Sequence, residues 1–385
     1  MKIGPSGMAY VGQFQNSISI LSMLATCAIA SGVIKYLSTY REDRELQQKV
    51  ITNSMNIVLI SSVIISLFII PASVFLSKAA FHTTEFWSVY MLYGIFLCII
   101  SLNSLFAAFL NGFKEIRRFT IINVISALCN ILFTVTFAYT LGVKGVLVAS
   151  VFVGICVFGI NVYFVKKING FKWRPDFKKF DPKMSKMLLA FTLMGLISGF
   201  ANPAMQLIVR DKIISDFSAL DAGCWQAVTR ISDFYLAFIT TVLGVYYLPR
   251  LSEIHTKDEL RREIIKGYKL ILPVVGALAF LIWLCKVWVV HILFTEEFLP
   301  MLPLFKFQLL GDFLKIGSWL LGFIMISKAL TKTFIISEIL FSCSFVILSF
   351  FFMEHYGVIG TTYAFCLNYA LYWIGMWFLM KKYIV

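Results

Sequence analysis

The chain has 385 residues, of which 59% are hydrophobic and 14% charged, with a mean hydropathy of +0.85 and a formal net charge of +14. Soluble domains are about 45–50% apolar and about 25% charged, so this composition excludes an ordinary soluble globular protein. The apolar runs are long enough to cross a hydrocarbon core of roughly 30 Å as helices, and they lack the strict alternation of transmembrane strands. The sequence therefore predicts an all-α polytopic membrane protein.

Charged residues, prolines and glycines divide the apolar runs into eleven predicted membrane spans. In chain order the spans cover residues 13–38, 48–77, 85–110, 117–141, 144–166, 184–210, 222–250, 262–293, 300–329, 331–354 and 357–381. Before the first span, residues 4–7 have the composition of a turn. All connections are short, so no segment outside the membrane is large enough to hold a core of its own. We expect any activity to lie in or between the helices.

Lysine and arginine are distributed unequally between the two sides of the predicted bundle. Alternate connections on one side carry 25 of these residues and the opposite side carries 5, which assigns the first side to the cytoplasm. This bias accounts for most of the net positive charge, so we do not expect a nucleic acid partner. The longest connection is a basic segment, residues 168–183, and it is predicted to be a cytoplasmic linker.

The chain also contains an internal repeat. Residues 119–167 match residues 334–382 without gaps at an offset of 215, including a Gly-Val-x-Gly turn and a closing lysine pair. Both copies have the same predicted orientation, which indicates two homologous six-helix bundles related by a pseudo-two-fold axis along the membrane normal. We therefore predict an N-terminal lobe at 1–167 and a C-terminal lobe at 184–385. The repeat partner of the span at 184–210 would precede residue 1, so we expect one first helix to be missing and five of six helices to form the N-terminal lobe.

Ionisable residues within the predicted spans are confined to the second half of the chain. They are Arg230, Asp233, Lys286, Lys306, Asp312, Lys315 and Glu338. A charge at the centre of a membrane helix costs about 2.5–3.5 kcal/mol, so such residues should face the bundle interior or a water-filled cavity. Arg230 with Asp233, and Asp312 with Lys315, are three residues apart and can partly neutralise each other on one helix face.

Each of these residues also has a purely structural interpretation. The two pairs can be ion pairs that lock helix packing, and Lys286 and Lys306 can extend toward a nearer interface. Glu338 is either a proton carrier or lies at a misplaced span boundary. Aromatic residues such as Trp225 can stack on sugars, but in membrane spans they more often serve packing.

Enzymatic chemistry finds little support in the sequence. No phosphate-binding loop of the G-x-x-x-x-G-K-[ST] type occurs, so the chain does not hydrolyse ATP by itself. The sequence leaves open that a separate ATPase subunit supplies the energy. The eight cysteines are scattered and the four histidines are isolated from one another, so we predict neither a metal nor another cofactor. A membrane polymerase would carry its acid and base groups in a substantial loop, which this chain lacks.

Two segments carry a family resemblance. Residues 223–240 (GCWQAVTRISDFYLAFIT) and 247–252 (YLPRLS) are similar to Wzx-type flippases of O-antigen and enterobacterial common antigen. The similarity continues at 308–317 (QLLGDFLKIG), 327–329, 4–7 and 35–36, and more loosely along the whole chain. It implies a two-lobe transporter with twelve helices, of the multidrug/oligosaccharidyl-lipid/polysaccharide superfamily, in a bacterial inner membrane. Such transporters move undecaprenyl-pyrophosphate-linked sugar units from the cytoplasmic to the periplasmic leaflet.

The resemblance also implies partners and site residues. The partners are the undecaprenyl-pyrophosphate-linked glycan, membrane lipids and the O-antigen polymerase, chain-length regulator and ligase. We expect substrate binding by Lys315, Arg230, Arg210, Lys35, Lys328 and Trp225. We expect ion coupling by Asp233, Asp312 and Glu338. The branch that handles enterobacterial common antigen has the same residue types at most of these positions, but a small polar residue in place of Arg230.

We therefore predict an ion-coupled flippase for an O-antigen repeat unit that works by alternating access. Two alternatives stay open at this point, a cation-coupled drug or metabolite antiporter of the same superfamily and a membrane polysaccharide polymerase. The drug antiporter would favour a compact acidic pocket over mixed aspartate and lysine pairs.

Overall fold

The computed structural model describes residues 3–168, 181–189, 192–254, 256–328 and 330–384. Within this part of the chain the regular structure is entirely helical. The α-helices are α1 (Gly4–Ala25), α2 (Ala30–Thr39), α3 (Arg44–Phe81), α4 (Trp87–Gly112), α5 (Ile116–Lys166), α6 (Pro182–Leu189), α7 (Thr192–Asp216), α8 (Ala219–Val242), α9 (Leu248–Glu253), α10 (Lys257–Leu284), α11 (Lys286–Leu293), α12 (Phe305–Ser327), α13 (Thr331–Tyr356) and α14 (Gly360–Ile384). A π-helix (Leu243–Tyr247) joins α8 to α9, and 3₁₀ segments (Glu296–Leu304 and Gly357–Ile359) precede α12 and α14. Most of the predicted linker lies outside the described residues.

Among the described residues, six helical stretches have the length and apolar composition needed to cross a membrane, and a seventh results if the bent pair α1–α2 counts as one span. The six are α3, α4, α5, α10, the stretch Glu296–Ser327, and the stretch Thr331–Ile384 that contains α13 and α14. Helices α7 and α8 do not enter this set, and α8 carries Arg230 and Asp233 near its middle. The predicted count of eleven spans stays a prediction.

Local capping explains where several helices begin. Helix α3 starts after Asp43, whose carboxylate accepts a hydrogen bond of 2.9 Å from the amide of Leu46. Helix α8 starts after Ser218, whose hydroxyl accepts a hydrogen bond of 3.0 Å from the amide of Asp221. An acceptor at this position satisfies one of the amide groups that the first helical turn leaves without an intrahelical partner.

The start of the chain differs from the prediction. Residues 4–7 were expected to form a turn, yet α1 begins at Gly4 with a φ of 52° and continues through Pro5. Proline fits the first turn of a helix because its missing amide hydrogen has no partner there. The predicted span at 13–38 is also interrupted, because Cys27 and Ala28 have positive φ values and α1 meets α2 at a bend of 49°.

Two glycines break the longest helical stretches at their repeat-related midpoints. Helix α5 has 51 residues and the stretch Thr331–Ile384 has 54, more than twice the roughly 20 that one membrane crossing needs. Gly142 has a φ of 61° and a ψ of −138°, and Gly357 has a φ of 65° and a ψ of −156°. These values lie outside the helical region and favour glycine, so each long stretch is two helices joined by a sharp break.

The same breaks contain a second pair of glycines in matching surroundings. A Cβ atom at Gly145 would lie 2.0 Å from the carbonyl oxygen of Phe137, and one at Gly360 would lie 2.3 Å from the carbonyl oxygen of Phe352. The residues of the second contact follow those of the first at the 215-residue offset of the sequence repeat. The two halves of the chain therefore repeat the backbone geometry of this turn as well as its sequence.

By contacts within the chain, the helices form two compact units. One unit comprises Ile3–Gly12 and Met205–Val385, and the other comprises Gln13–Ala204. These boundaries fall inside α1 and α7, whereas the sequence predicted the division at the linker. The predicted lobes at 1–167 and 184–385 follow the sequence repeat, and they stay a prediction about that repeat.

Close packing at small residues explains why the ends of α1 and α7 join these units. In the first unit, a Cβ atom at Gly223 of α8 would lie 1.7 Å from the carbonyl oxygen of Pro5. In the second unit, a Cβ atom at Gly195 of α7 would lie 2.7 Å from the carbonyl oxygen of Ala28. Glycine allows two backbones to approach this closely, a common device where helices pack in membranes.

Substitution of Gly223 by alanine tests the contact between α1 and α8. We expect Gly223→Ala to destabilise the protein by about 1–3 kcal/mol, because the new methyl group meets backbone that cannot rotate away. Thermal unfolding in detergent, followed by size-exclusion chromatography, measures the effect. Gly159→Ala in α5 is the matched control, since nothing lies within 4 Å of its Cβ position. Equal stability of the two variants would show that the backbones of α1 and α8 do not approach each other this closely.

Candidate functional site

The unit that comprises Ile3–Gly12 and Met205–Val385 contains every candidate site residue except Lys35. Two helices position most of them. Helix α8 carries Trp225, Arg230 and Asp233, and α12 carries Asp312 and Lys315. The side chains of these helices divide into a buried set that links neighbouring helices and a set that is open to the surroundings.

Arg210 of α7 is fully buried. Its Nη2 atom donates a hydrogen bond of 3.4 Å to the side-chain oxygen of Gln206 and another to that of Gln226. The guanidinium carbon lies 5.5 Å from the ring centroid of Trp225. A Cβ atom at Gly12 of α1 would lie 2.6 Å from the side chain of Gln226 and 3.1 Å from the guanidinium carbon. The charge is thus enclosed by residues of α1, α7 and α8. The residue from α1 must be glycine, because a side chain at position 12 would collide with Gln226 and Arg210.

Asp312 of α12 is also fully buried. The hydroxyl of Tyr235 donates a hydrogen bond of 2.9 Å to its Oδ2 atom, and the side-chain amide of Gln308 is 3.5 Å from its Oδ1 atom. A hydrogen bond to a charged group contributes about 1.5–3 kcal/mol, more than one between neutral groups. The Tyr235 contact therefore ties α8 to α12 through a group that can take up a proton.

Lys315 lies one turn after Asp312 but makes different contacts. Its ammonium group is 5.1 Å from the ring centroid of Trp319 and 5.8 Å from that of Tyr369 on α14. Lys315 and Asp312 are not among the close ion pairs of the described residues, so the alternative of an ion pair that locks helix packing finds no support for them. The carboxylate meets α8 whereas the ammonium group meets α14. Lys315 still interacts electrostatically with Asp312 and with the half-buried Glu338 of α13.

Arg230 and Asp233 are exposed on α8. Phe234, which follows Asp233, is 87% exposed and so shares this open side of the helix. These residues therefore differ from Asp312, which lies inside the unit. The structure brings Tyr235, Asp312 and Lys315 together in the interior and leaves Arg230 and Asp233 at its surface.

The remaining candidates have contacts of a different kind. The ammonium group of Lys328, at the end of α12, donates a hydrogen bond to the carbonyl oxygen of Ile254. Lys35 belongs to the other unit, where it is exposed on α2 and lies 5.8 Å from the ring centroid of Tyr36. Trp225 is 4% exposed, so its ring packs in the interior against Arg210.

This arrangement can bind an anion and move a proton. The half-buried ammonium group of Lys315 can attract phosphate, and the carboxylate of Asp312 can take up a proton. Within the described residues, no three or more metal-ligating side chains come together. The site therefore offers electrostatic binding and proton uptake.

Comparison with known proteins assigns the chain to a family. The model of a family described as polysaccharide biosynthesis protein matches residues 2–255, more than half of the sequence. The chain belongs to this family. The lipid III flippases of Escherichia coli (strain K12) and Shigella flexneri are each 28% identical to it over 376 residues, which are 97% of this chain and 89% of each relative.

Solved structures of transporters share the fold. An inward-facing multidrug resistance MATE family transporter of the MOP superfamily has a TM-score of 0.82 at 17% identity, covering 99% of this chain and 91% of its own. An outward-facing MATE transporter has a TM-score of 0.74 at 18% identity, covering 99% and 88%. A MOP superfamily transporter from Pyrococcus furiosus has a TM-score of 0.74 at 17% identity, covering 99% and 89%. The family, the relatives and the apolar helices support a multi-pass transporter of the bacterial inner membrane rather than an enzyme.

Several residues of the site were not selected from the sequence. Gln206 and Gly12 enclose Arg210, and Tyr369 lies beside Lys315. Gln206 could have been found, because it precedes Arg210 by four residues and therefore shares its helix face. Gly12 and Tyr369 reach the site only through packing between helices distant in sequence, for which the sequence offers no local signal.

The hydrogen bond between Tyr235 and Asp312 can be measured by a double-mutant cycle. We expect Tyr235→Phe and Asp312→Asn to be non-additive in their effects on stability, with a coupling of about 1.5–3 kcal/mol, because both remove the same charge-assisted contact. Thermal unfolding of the purified protein in detergent gives the values. Tyr268→Phe paired with Asp312→Asn is the control, since Tyr268 donates its hydrogen bond to the carbonyl oxygen of Gly317. Additivity of the first pair would mean that the contact is absent in solution.

Proposed function

We propose that this protein is a flippase that carries an undecaprenyl-pyrophosphate-linked oligosaccharide, an O-antigen repeat unit, from the cytoplasmic to the periplasmic leaflet. It works by alternating access and is driven by an ion gradient. The pyrophosphate and the sugars pass through the protein, while the polyprenyl tail remains in lipid. The polymerase, chain-length regulator and ligase of the polysaccharide act on the product.

The observation that carries this proposal is the enclosure of charged groups in an otherwise apolar helical unit. Asp312 is fully buried and Lys315 is half-buried in a stretch that can span the membrane, where each charge is costly, and Arg210 at the end of a predicted span is also fully buried. Such a cost is retained where a charged substrate or ion must be bound. A pyrophosphate headgroup requires cations, and a coupling ion requires an acid. The two lipid III flippases, 28% identical over nearly the whole chain, support the same class of substrate.

Asp312 is the coupling group of this proposal, with Asp233 and Glu338 as further acids of the same unit. Loss of the negative charge on Asp312 changes its hydrogen bond with Tyr235, and with it the contact between α8 and α12. The same change alters the electrostatic interaction with Lys315. Binding of a cation therefore acts on both a helix contact and a substrate-binding charge.

The MATE transporters of similar fold favour one rival function, the export of drugs by cation exchange. The two functions differ in the substrate charge that the site must accept. Lys315 suits an anionic headgroup and opposes a cationic drug. Export of cationic dyes from a sensitive strain, with no effect on surface polysaccharide, would favour the rival.

Complementation of a flippase-null strain tests the proposal. Surface polysaccharide is separated on a gel, and we expect wild-type protein to restore the long ladder. Lys315→Ala and Asp312→Asn should reduce long-chain polysaccharide about 10-fold or more, as expected for losing an interaction of about 1.5–3 kcal/mol with a charged group.

Lys306→Ala is the matched control for Lys315→Ala. Lys306 also lies on α12 beside an aromatic ring, 5.4 Å from the centroid of Phe307, but it is exposed. We expect this variant to retain the full ladder. Membrane expression of every variant is measured by immunoblot. Full ladders from well-expressed Lys315→Ala and Asp312→Asn would remove the site assignment, and failure of the wild type to complement would count against the flippase function itself.

A further inference from the structure

One face of α8 is open although the opposite face is packed into the unit. Between positions 230 and 241 the exposed residues recur every three or four positions, and they are Arg230, Asp233, Phe234, Ala237, Phe238 and Thr241. Leu220 and Val242 are also exposed, near the two ends of the helix. Spacing of this kind places side chains on one stripe of a helix. We refer to these six residues as the α8 stripe. Two of its members interact electrostatically with the buried charges, Arg230 with Arg210 and Asp233 with Asp312.

The charges of the α8 stripe indicate that it faces water rather than lipid. Tyr235 of α8 is hydrogen-bonded to Asp312, which lies within a stretch that is long and apolar enough to span the membrane. The stripe therefore lies at the same depth in the membrane as that stretch. An arginine and an aspartate exposed to hydrocarbon at this depth would each cost about 2.5–3.5 kcal/mol. A water-filled space in front of the stripe avoids this cost.

Two phenylalanines share the same open face. Phe234 is 87% exposed and Phe238 is 71% exposed. Elsewhere in the unit, Phe378 is 69% exposed on α14 among apolar neighbours such as Ile374 and Trp377, where lipid accounts for it. Lipid does not account for Phe234, because it lies next to Asp233 and one turn from Arg230, and Phe238 lies one turn further along the same stripe. Large aromatic surfaces that face water are typical of binding sites.

We infer that the α8 stripe binds the sugar part of the transported glycolipid, with Phe234 and Phe238 stacking on sugar rings and Arg230 binding their polar or acidic substituents. This inference rests on the proposed function and adds the residues that read the glycan. Arg230, Phe234 and Phe238 follow one another at one-turn intervals, a rise of about 6 Å each.

The chemistry of a sugar matches this order of side chains. Sugar rings have an apolar C–H face that stacks on aromatic rings, and hydroxyl or carboxyl groups that need hydrogen-bond partners. A polyprenyl tail fits less well, because an apolar chain cannot form hydrogen bonds with charged side chains such as Arg230 and Asp233 and would displace their water. The sugar is thus the occupant whose chemistry matches both the aromatic and the charged members of the stripe.

Binding of two probes by purified protein tests the inference. One probe is the lipid-linked oligosaccharide that accumulates in the flippase-null strain without complementation, and the other is undecaprenyl pyrophosphate without sugars. We expect Phe234→Ala and Phe238→Ala each to weaken binding of the oligosaccharide probe about 3- to 10-fold, the range of a single aromatic contact. Their affinity for the sugar-free probe should stay within about 2-fold of the wild type. Phe238→Trp should retain binding, since it preserves a stacking surface.

Phe378→Ala is the control for the loss of an exposed phenylalanine, and we expect it to bind both probes as the wild type does. Equal weakening of the two probes by Phe234→Ala and Phe238→Ala would assign these residues to the tail or the pyrophosphate and overturn the inference. Unchanged binding of the oligosaccharide probe would also overturn it. Neither outcome affects the flippase function, which fails only if the wild type does not complement the null strain or bind the oligosaccharide probe.

Accessibility to water gives an independent measure. With the eight native cysteines replaced by serine, Phe234→Cys and Phe238→Cys should react with a membrane-impermeant thiol reagent in at least one transport state, whereas Phe378→Cys should not. Absence of labelling at both stripe positions in every state would show that the stripe faces lipid and would overturn the inference.

Discussion

The cost of placing charge in hydrocarbon is the constraint on which this structure depends. Arg210 and Asp312 are fully buried in an apolar bundle, and each is held by neutral polar side chains. The glutamines around Arg210 and the tyrosine at Asp312 offset part of the desolvation cost through hydrogen bonds. Replacing such groups by apolar side chains of similar size often stabilises a protein, so their presence is better explained by binding than by stability.

The backbone follows a related constraint. Amide and carbonyl groups in a bilayer must be satisfied within the protein, which leaves helices as the solution for this sequence. A change of direction then requires a residue that can leave helical geometry, and Gly142 and Gly357 do so in the two repeat copies. The shared offset of these glycines and of the contacts at Gly145 and Gly360 shows that the repeat conserves a backbone bend, which is a physical reason for identical residues to recur there.

Much of the fold could be predicted from the sequence because hydrophobic run length and glycine position are local signals. The helical class, most helix positions and the breaks at Gly142 and Gly357 follow from them. The start of α1 at Gly4 was missed because glycine and proline are shared by turns and helix starts. The bend at Cys27 and Ala28 was missed because these residues have no special tendency toward positive φ. The boundaries of the two units depend on contacts such as Gly223 with Pro5, which connect segments more than two hundred residues apart.

The site was predictable in its charges but not in its contacts. Asp312 and Lys315 stand out because ions are rare in apolar helices, and their spacing indicated the electrostatic interaction between them but not their contacts with Tyr235 and Tyr369. Helical spacing gives the face of a residue within about one third of a turn, which is too coarse to choose between two neighbouring helices. Exposure was also needed to separate Asp233 from Asp312, since both are aspartates within apolar segments.

Helix α8 joins these features. Its inner face holds Gln226 against Arg210 and Tyr235 against Asp312, and its outer face carries Arg230 and Phe234. Both faces are fixed to one backbone, so a movement of α8 that changes its inner contacts also moves its outer side chains. In the proposed mechanism, proton uptake at Asp312 and glycan contact at the α8 stripe are therefore linked through one helix, and the coupling route is no longer than the width of that helix.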